Sequence, residues 1–439
     1  MQRQVRHGRS DPPGAHDLSR RRLLGNIAAF ALAASTSGSQ SAPILALART
    51  APQTTDQTVD PKDFGARGDG HADDASALQA ALNTGKRVWL QPGVDYAFGT
   101  MLKIPAGGGF LGGGLLTMLT GPGKFDKADY SGNPEVGLFI ESASNIAVEA
   151  RIRMQPNEGI RTCSAIWVRG CTNVALDVEA WGFKETRFGV IEWNSNHGGS
   201  VKANVHDCFV NSTGLPTMQV TALCVDNNRL NSVNSTQLRF NVKAKDIYFG
   251  PTAIAKYSYQ TDGVNLQGQG HAGHVGRVEA DNVYEPLDCF SDDNVVEVVA
   301  TNCYWGVKLI HGASRNVVCA TVTLYMKAGV IFAGATRSTG DTQPVSHNRV
   351  YLTAAQGGQI GRLDDVAGAI FDGSDATYIP QYNYVAVTAK GDGTHLDFVV
   401  DIGESANNTI VAEGSGYSTK LVNLRPASGP GNVVTSAVK

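Results

Sequence analysis

The 439-residue sequence predicts an all-β fold, a single-stranded right-handed parallel β-helix with a short N-terminal capping helix. Three observations predict it. A glycine-rich turn and an amphipathic helical stretch stand together over residues 63–82. Beyond them, a turn former followed by a short alternating strand recurs along the chain. Several of these units align almost residue for residue, as the coils of a solenoid must.

The chain opens on an address. Ser19-Arg20-Arg21-Arg22-Leu23-Leu24 resembles a twin-arginine export signal, followed by apolar residues 27–34 and the small-residue cleavage site Ala46-Leu47-Ala48. Residues 1–48 are therefore expected to be a removable signal, 49–62 a linker and 63–439 the β-helix domain. The mature protein is expected in the periplasm or outside the cell, free of the membrane, because no later apolar run is long enough to span a bilayer. Twin-arginine cargo folds before export, so a disulfide framework has little chance to form. The seven cysteines accordingly read as small buried core residues. A net charge of -3 with 18% charged residues offers no basic field to attract nucleic acid.

The capping segment reads Asp63-Phe64-Gly65-Ala66-Arg67-Gly68-Asp69-Gly70, then Asp73-Asp74-Ala75-Ser76-Ala77-Leu78-Gln79-Ala80-Ala81-Leu82. Its glycines supply the positive φ angles of a tight turn, and Asp73 or Asp74 stands where a helix is capped. Leu78, Ala81 and Leu82 share one helical face, suited to plugging the open end of a solenoid. This run resembles the start of the family of pectate-lyase-like and polygalacturonase-related proteins, with Leu78 in place of the usual Ile. The resemblance implies the parallel β-helix fold and an activity on polysaccharides.

The repeat unit places Asn before a strand at Asn145, Asn173, Asn294, Asn316, Asn348, Asn383 and Asn408. Asn294 to Asn316 is a step of 22 residues, enough for three short strands and three turns. Turn asparagines stacked at one corner can bond along a ladder of coils about 4.8 Å apart. After about residue 340 the pattern becomes more irregular. Whole coils align best in the middle: Asn282-Val283-Tyr284-Glu285-Pro286-Leu287-Asp288 lies over Asn302-Cys303-Tyr304-Trp305-Gly306-Val307-Lys308. Asp262-Gly263-Val264-Asn265-Leu266 precedes them and Ala328-Gly329-Val330-Ile331-Phe332 follows. The valines of this register point inward and their successors outward.

The alignment turns scattered residues into two outward rows, Asn265, Asp288, Lys308, Ile331 and Asp262, Glu285, Trp305. Acids on adjacent coils start about 5 Å apart, which suits the paired carboxyls of glycosidic hydrolysis, one as proton donor and one as base or nucleophile. Crowded carboxylates raise one another's pKa, so one can remain a proton donor near neutral pH. The resemblance to polygalacturonases extends here through Gln260-Thr261-Asp262-Gly263, the pair Asp292-Asp293 and Val307-Lys308-Leu309. It implies catalytic roles for Asp262, Asp292 and Asp293. The histidines of Gln269-Gly270-His271-Ala272-Gly273-His274 precede the Asp pair instead of following it, and the family's final Arg is missing.

The candidate catalytic residues are thus Asp262, Glu285, Asp288, Asp292 and Asp293. The candidate substrate-binding residues are His271, His274, Trp305, Lys308 and His311, with further aromatics at Trp167, Trp181, Trp193, Tyr259, Tyr284 and Tyr304. No metal site is assigned and no cofactor is required for hydrolysis. A polysaccharide lyase is the alternative within the same fold: Lys308, His271, His274 or His311 would act as base, and Asp288, Asp292 and Asp293 would hold Ca²⁺. A uronate epimerase, a transferase and a non-catalytic glycan-binding solenoid are further alternatives. The expected partner is a polysaccharide or oligosaccharide, and related folds assemble as homotrimers.

Overall fold

The computed structural model describes residues 58–125, 135–156, 163–183, 189–210, 219–226, 234–249, 260–268, 271–334, 343–359, 364–373 and 377–438. The expected export signal at 1–48, residues 49–57 of the expected linker and Tyr259 lie outside them.

The described chain is a right-handed parallel β-helix. One long sheet begins with Thr58–Val59, Arg87–Trp89 and Gly109–Leu111, passes through Ala147–Met154, and ends at Val433–Val438. A second runs from Leu102–Lys103 through Glu135–Glu141 to Lys420–Leu424. Every pairing between these strands is parallel. Thr58–Val59 falls within the stretch read as linker; two residues are too few to show a strand's alternation. Strands Val295–Leu309 and Val317–Ala333 serve both sheets, bending where Asn302 and Leu324 take φ of 55° and 50°.

The capping helix spans Ala75–Leu82 and buries Leu78, Ala81 and Leu82 completely. Gly65, Gly68 and Gly70 have φ of 92°, 62° and 74°, the left-handed region that glycine enters without strain. The two aspartates divide the work. Asp73 accepts from the Ala75 N–H at 3.1 Å, at the helix start, whereas Asp74 accepts from the N–H groups of Arg67 and Gly68 at 2.7 and 2.9 Å and pins the turn.

Inside the solenoid, rows of apolar side chains stack coil on coil. Val264, Leu287, Val307 and Val330 form one such row, each fully buried, as the coil alignment predicts. At one corner the asparagines form a continuous ladder. Asn294 Nδ2 donates to Asn316 Oδ1 at 2.9 Å, Asn316 to Asn348 at 3.0 Å, Asn348 to Asn383 at 2.9 Å, Asn383 to Asn408 at 3.1 Å, and Asn408 to Asn432 at 3.0 Å. The ladder keeps its register through the coils after residue 340 that look irregular in sequence. Asn145 and Asn173 are not part of it. They sit one residue earlier in register, at a corner position with φ of 58° and 53°. Asn suits both the left-handed corner and the buried rung, so its identity does not reveal which it occupies.

Candidate active site

The centre of the second sheet builds the site from three strands, Gln260–Leu266, Glu285–Cys289 and the C-terminal half of Val295–Leu309. Asp262 pairs in register with Glu285, Asn265 with Asp288, and Asp288 with Lys308. Parallel pairing without a slip stacks these side chains on the outer face at one coil spacing, about 4.8 Å. Acids that lie 26 residues apart at the extremes of the sequence thus meet: carboxyl oxygens of Asp262, Glu285 and Asp288 come within 4.8 Å of one another.

Lys308 supplies the counter-charge. Its Nζ lies 3.1 and 3.3 Å from the two Glu285 oxygens and 3.6 Å from Asp288 Oδ2. The sequence suggests an Asp288 to Lys308 ion pair; the closer contact is to Glu285, three residues before Asp288 on the same strand. Asp262 Oδ2 accepts from Thr221 Oγ1 at 3.2 Å and Asn265 Nδ2 at 3.0 Å. Among the described residues, Asp262 Oδ1 and both Asp288 oxygens have no hydrogen-bond partner.

The rows face away from the solenoid core, yet they are closed to water. Asp262, Glu285 and Asp288 are at most 1% exposed and Lys308 7%. Burying a carboxylate without full solvation penalises its charged form. Burial, the Glu285 charge and the Asp288 charge hold the Asp262 carboxyl well above the usual range. Burial also pushes Asp288 up to about 8, against the opposing pull of Lys308. For Lys308 the balance is reversed: the three acids outweigh burial and raise the ammonium above its ordinary value.

Trp305 lies beside this cluster, its ring centroid 5.4 Å from Lys308 Nζ. Tyr284 and Tyr304 stack at 4.7 Å, and Tyr304 meets Trp305 edge-on at 4.8 Å, so the tyrosines brace the indole. Trp193 is fully buried in the core, and Trp181 stacks on His206 at 5.6 Å. The outer face continues past Lys308 with Ile331, Ile370 and Phe398, an apolar cluster against which Trp305 packs.

The other candidate residues occupy the neighbouring corner. Asp292 accepts from the Ser314 N–H at 2.8 Å and pairs with Arg315 at 3.1 Å; Asp293 pairs with Arg315 Nε at 2.8 Å and with His271. His311 packs edge-on against Phe290 at 4.7 Å. His274 stands at the rung before Asn294. Its N–H donates to Asn294 Oδ1 at 3.0 Å and its Nδ1 accepts from the Leu238 N–H at 3.2 Å. Burial lowers its pKa to about 4, so it serves as a neutral substitute for a ladder asparagine. The cluster of three close acids draws nothing from Asp292 or Asp293.

One residue on this face escaped the sequence reading. Glu192 lies on the same outer row, reached from Asn265 through Cys224. It is 1% exposed, accepts from the Gly189 N–H at 2.7 Å, and is pushed up to about 8 by burial. A lone acid inside the apolar run Val190-Ile191-Glu192-Trp193 was the available signal.

No protein-family model and no curated protein matches the chain. Solved structures do. A tailspike protein double mutant of E. coli bacteriophage HK620 is 12% identical, with TM-score 0.51, covering 86% of this chain and 78% of that chain. The same phage's tailspike in complex with a pentasaccharide is 13% identical, with TM-score 0.50, covering 86% and 67%. The chain shares their parallel β-helix fold. A family 28 exopolygalacturonase of Yersinia enterocolitica aligns with 13% identity and TM-score 0.45, covering 88% of this chain and 78% of that one. The fold is the one that the resemblance of residues 63–82 implies.

Proposed function

We propose that the protein is a glycoside hydrolase acting on a polysaccharide, with Asp288 as proton donor and Glu285 as the carboxylate that attacks the sugar. The observation that carries this reading is the convergence of Asp262, Glu285 and Asp288 around one ammonium on adjacent coils. Asp288, raised to about 8, keeps its proton at neutral pH and can pass it to the glycosidic oxygen as the bond to the leaving sugar breaks. Glu285, steadied by Lys308, bonds to the anomeric carbon, and water then releases the sugar with Asp288 acting as base. Approach within 4.8 Å suits the retaining arrangement of about 5–5.5 Å better than the inverting one of about 6.5–9.5 Å. Asp262, bonded to Asn265 and Thr221 and held toward its protonated form by burial and the neighbouring acids, offers a further hydrogen bond beside the reacting centre. The carboxyls are closed to water, so cleavage requires this face to open enough to admit a sugar ring.

The fold shared with a pentasaccharide-bound tailspike supports a glycan as ligand. Elimination is less well supported, because a lyase base must be neutral and the acids hold Lys308 protonated. His274 is committed to the ladder. The same three acids have the oxygen donors to hold a cation; the ammonium of Lys308 already supplies positive charge there. The test is to screen the mature chain against acidic and neutral polysaccharides, alongside Asp288→Asn and Glu285→Gln. Sugar release lowered about 10²–10⁴-fold in both variants is expected; undiminished release in either refutes its assigned role.

A further inference from the structure

The outer row that holds Asp288 continues in register toward the N-terminal end of the solenoid. Asp288 pairs with Asn265, Asn265 with Cys224, Cys224 with Glu192, Glu192 with Trp167, and Trp167 with Phe139. Trp167 is therefore four coil steps from Asp288, roughly 19 Å at about 4.8 Å per coil. There the face opens into a cavity of about 330 Å³ lined by Thr100, Met101, Lys124, Glu135, Phe139 and Trp167. That volume lies at the lower end of the roughly 300–1,000 Å³ of small-ligand sites.

Its floor is aromatic and fixed. Phe139 and Trp167 lie 5.4 Å apart at an interplanar angle of 53°. The indole N–H donates to Asn194 Oδ1 at 2.8 Å, which holds the ring in one orientation, and the Arg169 guanidinium sits 5.8 Å from its centroid. Charged groups stand at the wall: Lys124, paired with Asp73, and Glu135, which accepts from Cys163 Sγ at 3.7 Å. Met101 at the rim is 40% exposed. A rigid aromatic floor with polar groups at its edge matches the two-sided chemistry of a sugar ring, apolar C–H on its faces and hydroxyls around its perimeter.

We infer that this cavity is a distal glycan-binding subsite, in which Trp167 stacks on a sugar ring of the same polymer whose bond lies at the acid cluster. The inference rests on the proposed glycosidase reading for its occupant. The cavity and the cluster lie on one row of side chains; Asn265, Cys224 and Glu192 between them are buried, so a polymer spans both ends once the face opens to admit it. Short fragments reach one end only; fragments spanning roughly 19 Å engage both and bind more tightly through linked contacts.

The test measures binding and cleavage separately. Immobilised fragments of the screened polysaccharides, graded from disaccharide to decasaccharide, are bound by the full mature chain, Trp167→Ala, Trp167→Phe and Met101→Trp. The last variant crowds the cavity from its exposed rim and keeps Trp167. Tighter binding of long fragments is expected to fall at least about 10-fold in W167A and M101W, to be kept in W167F, and to be unchanged for the shortest fragments; a 10-fold loss corresponds to about 1.4 kcal/mol. Equal binding of long fragments by M101W and wild type, or no gain with length in wild type, overturns the inference. Length-dependent binding lost in M101W without any cleavage leaves the subsite standing and refutes the hydrolase. Cleavage with binding indifferent to M101W does the reverse, and no binding of any fragment overturns the subsite.

Discussion

Asp288 gives the most quantitative prediction, because its burial makes the fold itself sensitive to pH. Its carboxyl titrates near 8 in the folded chain and near 3.8 when unfolded. Between those values the native state holds a proton that the unfolded state has released. Stability therefore falls as pH rises through the window, by about 1.4 kcal/mol for each pH unit. From about pH 5 to pH 8 that amounts to roughly 4 kcal/mol. Asn at position 288 cannot ionise and loses this dependence. The assay is urea unfolding of wild type and Asp288→Asn across that range, taking the difference in unfolding free energy at each pH. Asp262 lends both proteins a similar slope, which largely cancels in the difference. The variant is expected to gain on wild type by several kcal/mol as pH rises. A difference that stays flat would refute the protonated Asp288 on which the donor role depends.

Other expectations follow from the same structure. Lys308→Met removes the ammonium from among three buried acids and should cost about 3–5 kcal/mol near neutral pH, less in acid, as read by denaturant midpoints. Asn348→Ala breaks the ladder at a buried rung that bonds Asn316, Asn383 and the Ala313 carbonyl; roughly 3 kcal/mol should be lost in the same measurement. His274, lowered to about 4 from 6.5, is neutral in the fold while the unfolded chain takes up a proton. Stability thus drops as pH falls from 6.5 to 4, and His274→Asn should abolish on the order of 3 kcal/mol of that loss. Gly68→Ala forces a φ of 62° on a residue whose Cβ would lie 2.4 Å from Val94 Cγ1, and a fall of about 1–3 kcal/mol in unfolding free energy is expected.

What the sequence discloses follows from the period of the fold. A strand's two-residue alternation and the identical register of successive coils are local facts, so the sequence alone places Val264, Leu287, Val307 and Val330 inside and brings Asp262, Glu285 and Asp288 together. Burial of that outer face was not legible. It depends on what packs over a sheet, and no periodicity within the sheet encodes that. The Asp292-Asp293 pair shows the other limit. In sequence it stands only four residues from Asp288, and the resemblance to polygalacturonases groups it with Asp262. In space the chain turns between them, and Arg315 on the next coil takes up both carboxyls. His274 illustrates the same point from the core. Its place one rung before Asn294 is a matter of register, and only the Leu238 and Asn294 bonds reveal an imidazole filling an amide's role.

The measurement that tests the hydrolase most directly is cleavage of a susceptible polysaccharide in water enriched in heavy oxygen, followed by product masses. Hydrolysis by Asp288 and Glu285 places one heavy oxygen on the newly formed reducing end, and the label disappears with activity in Glu285→Gln. Products that carry no label and are lighter by one water would contradict hydrolysis and establish elimination at this site.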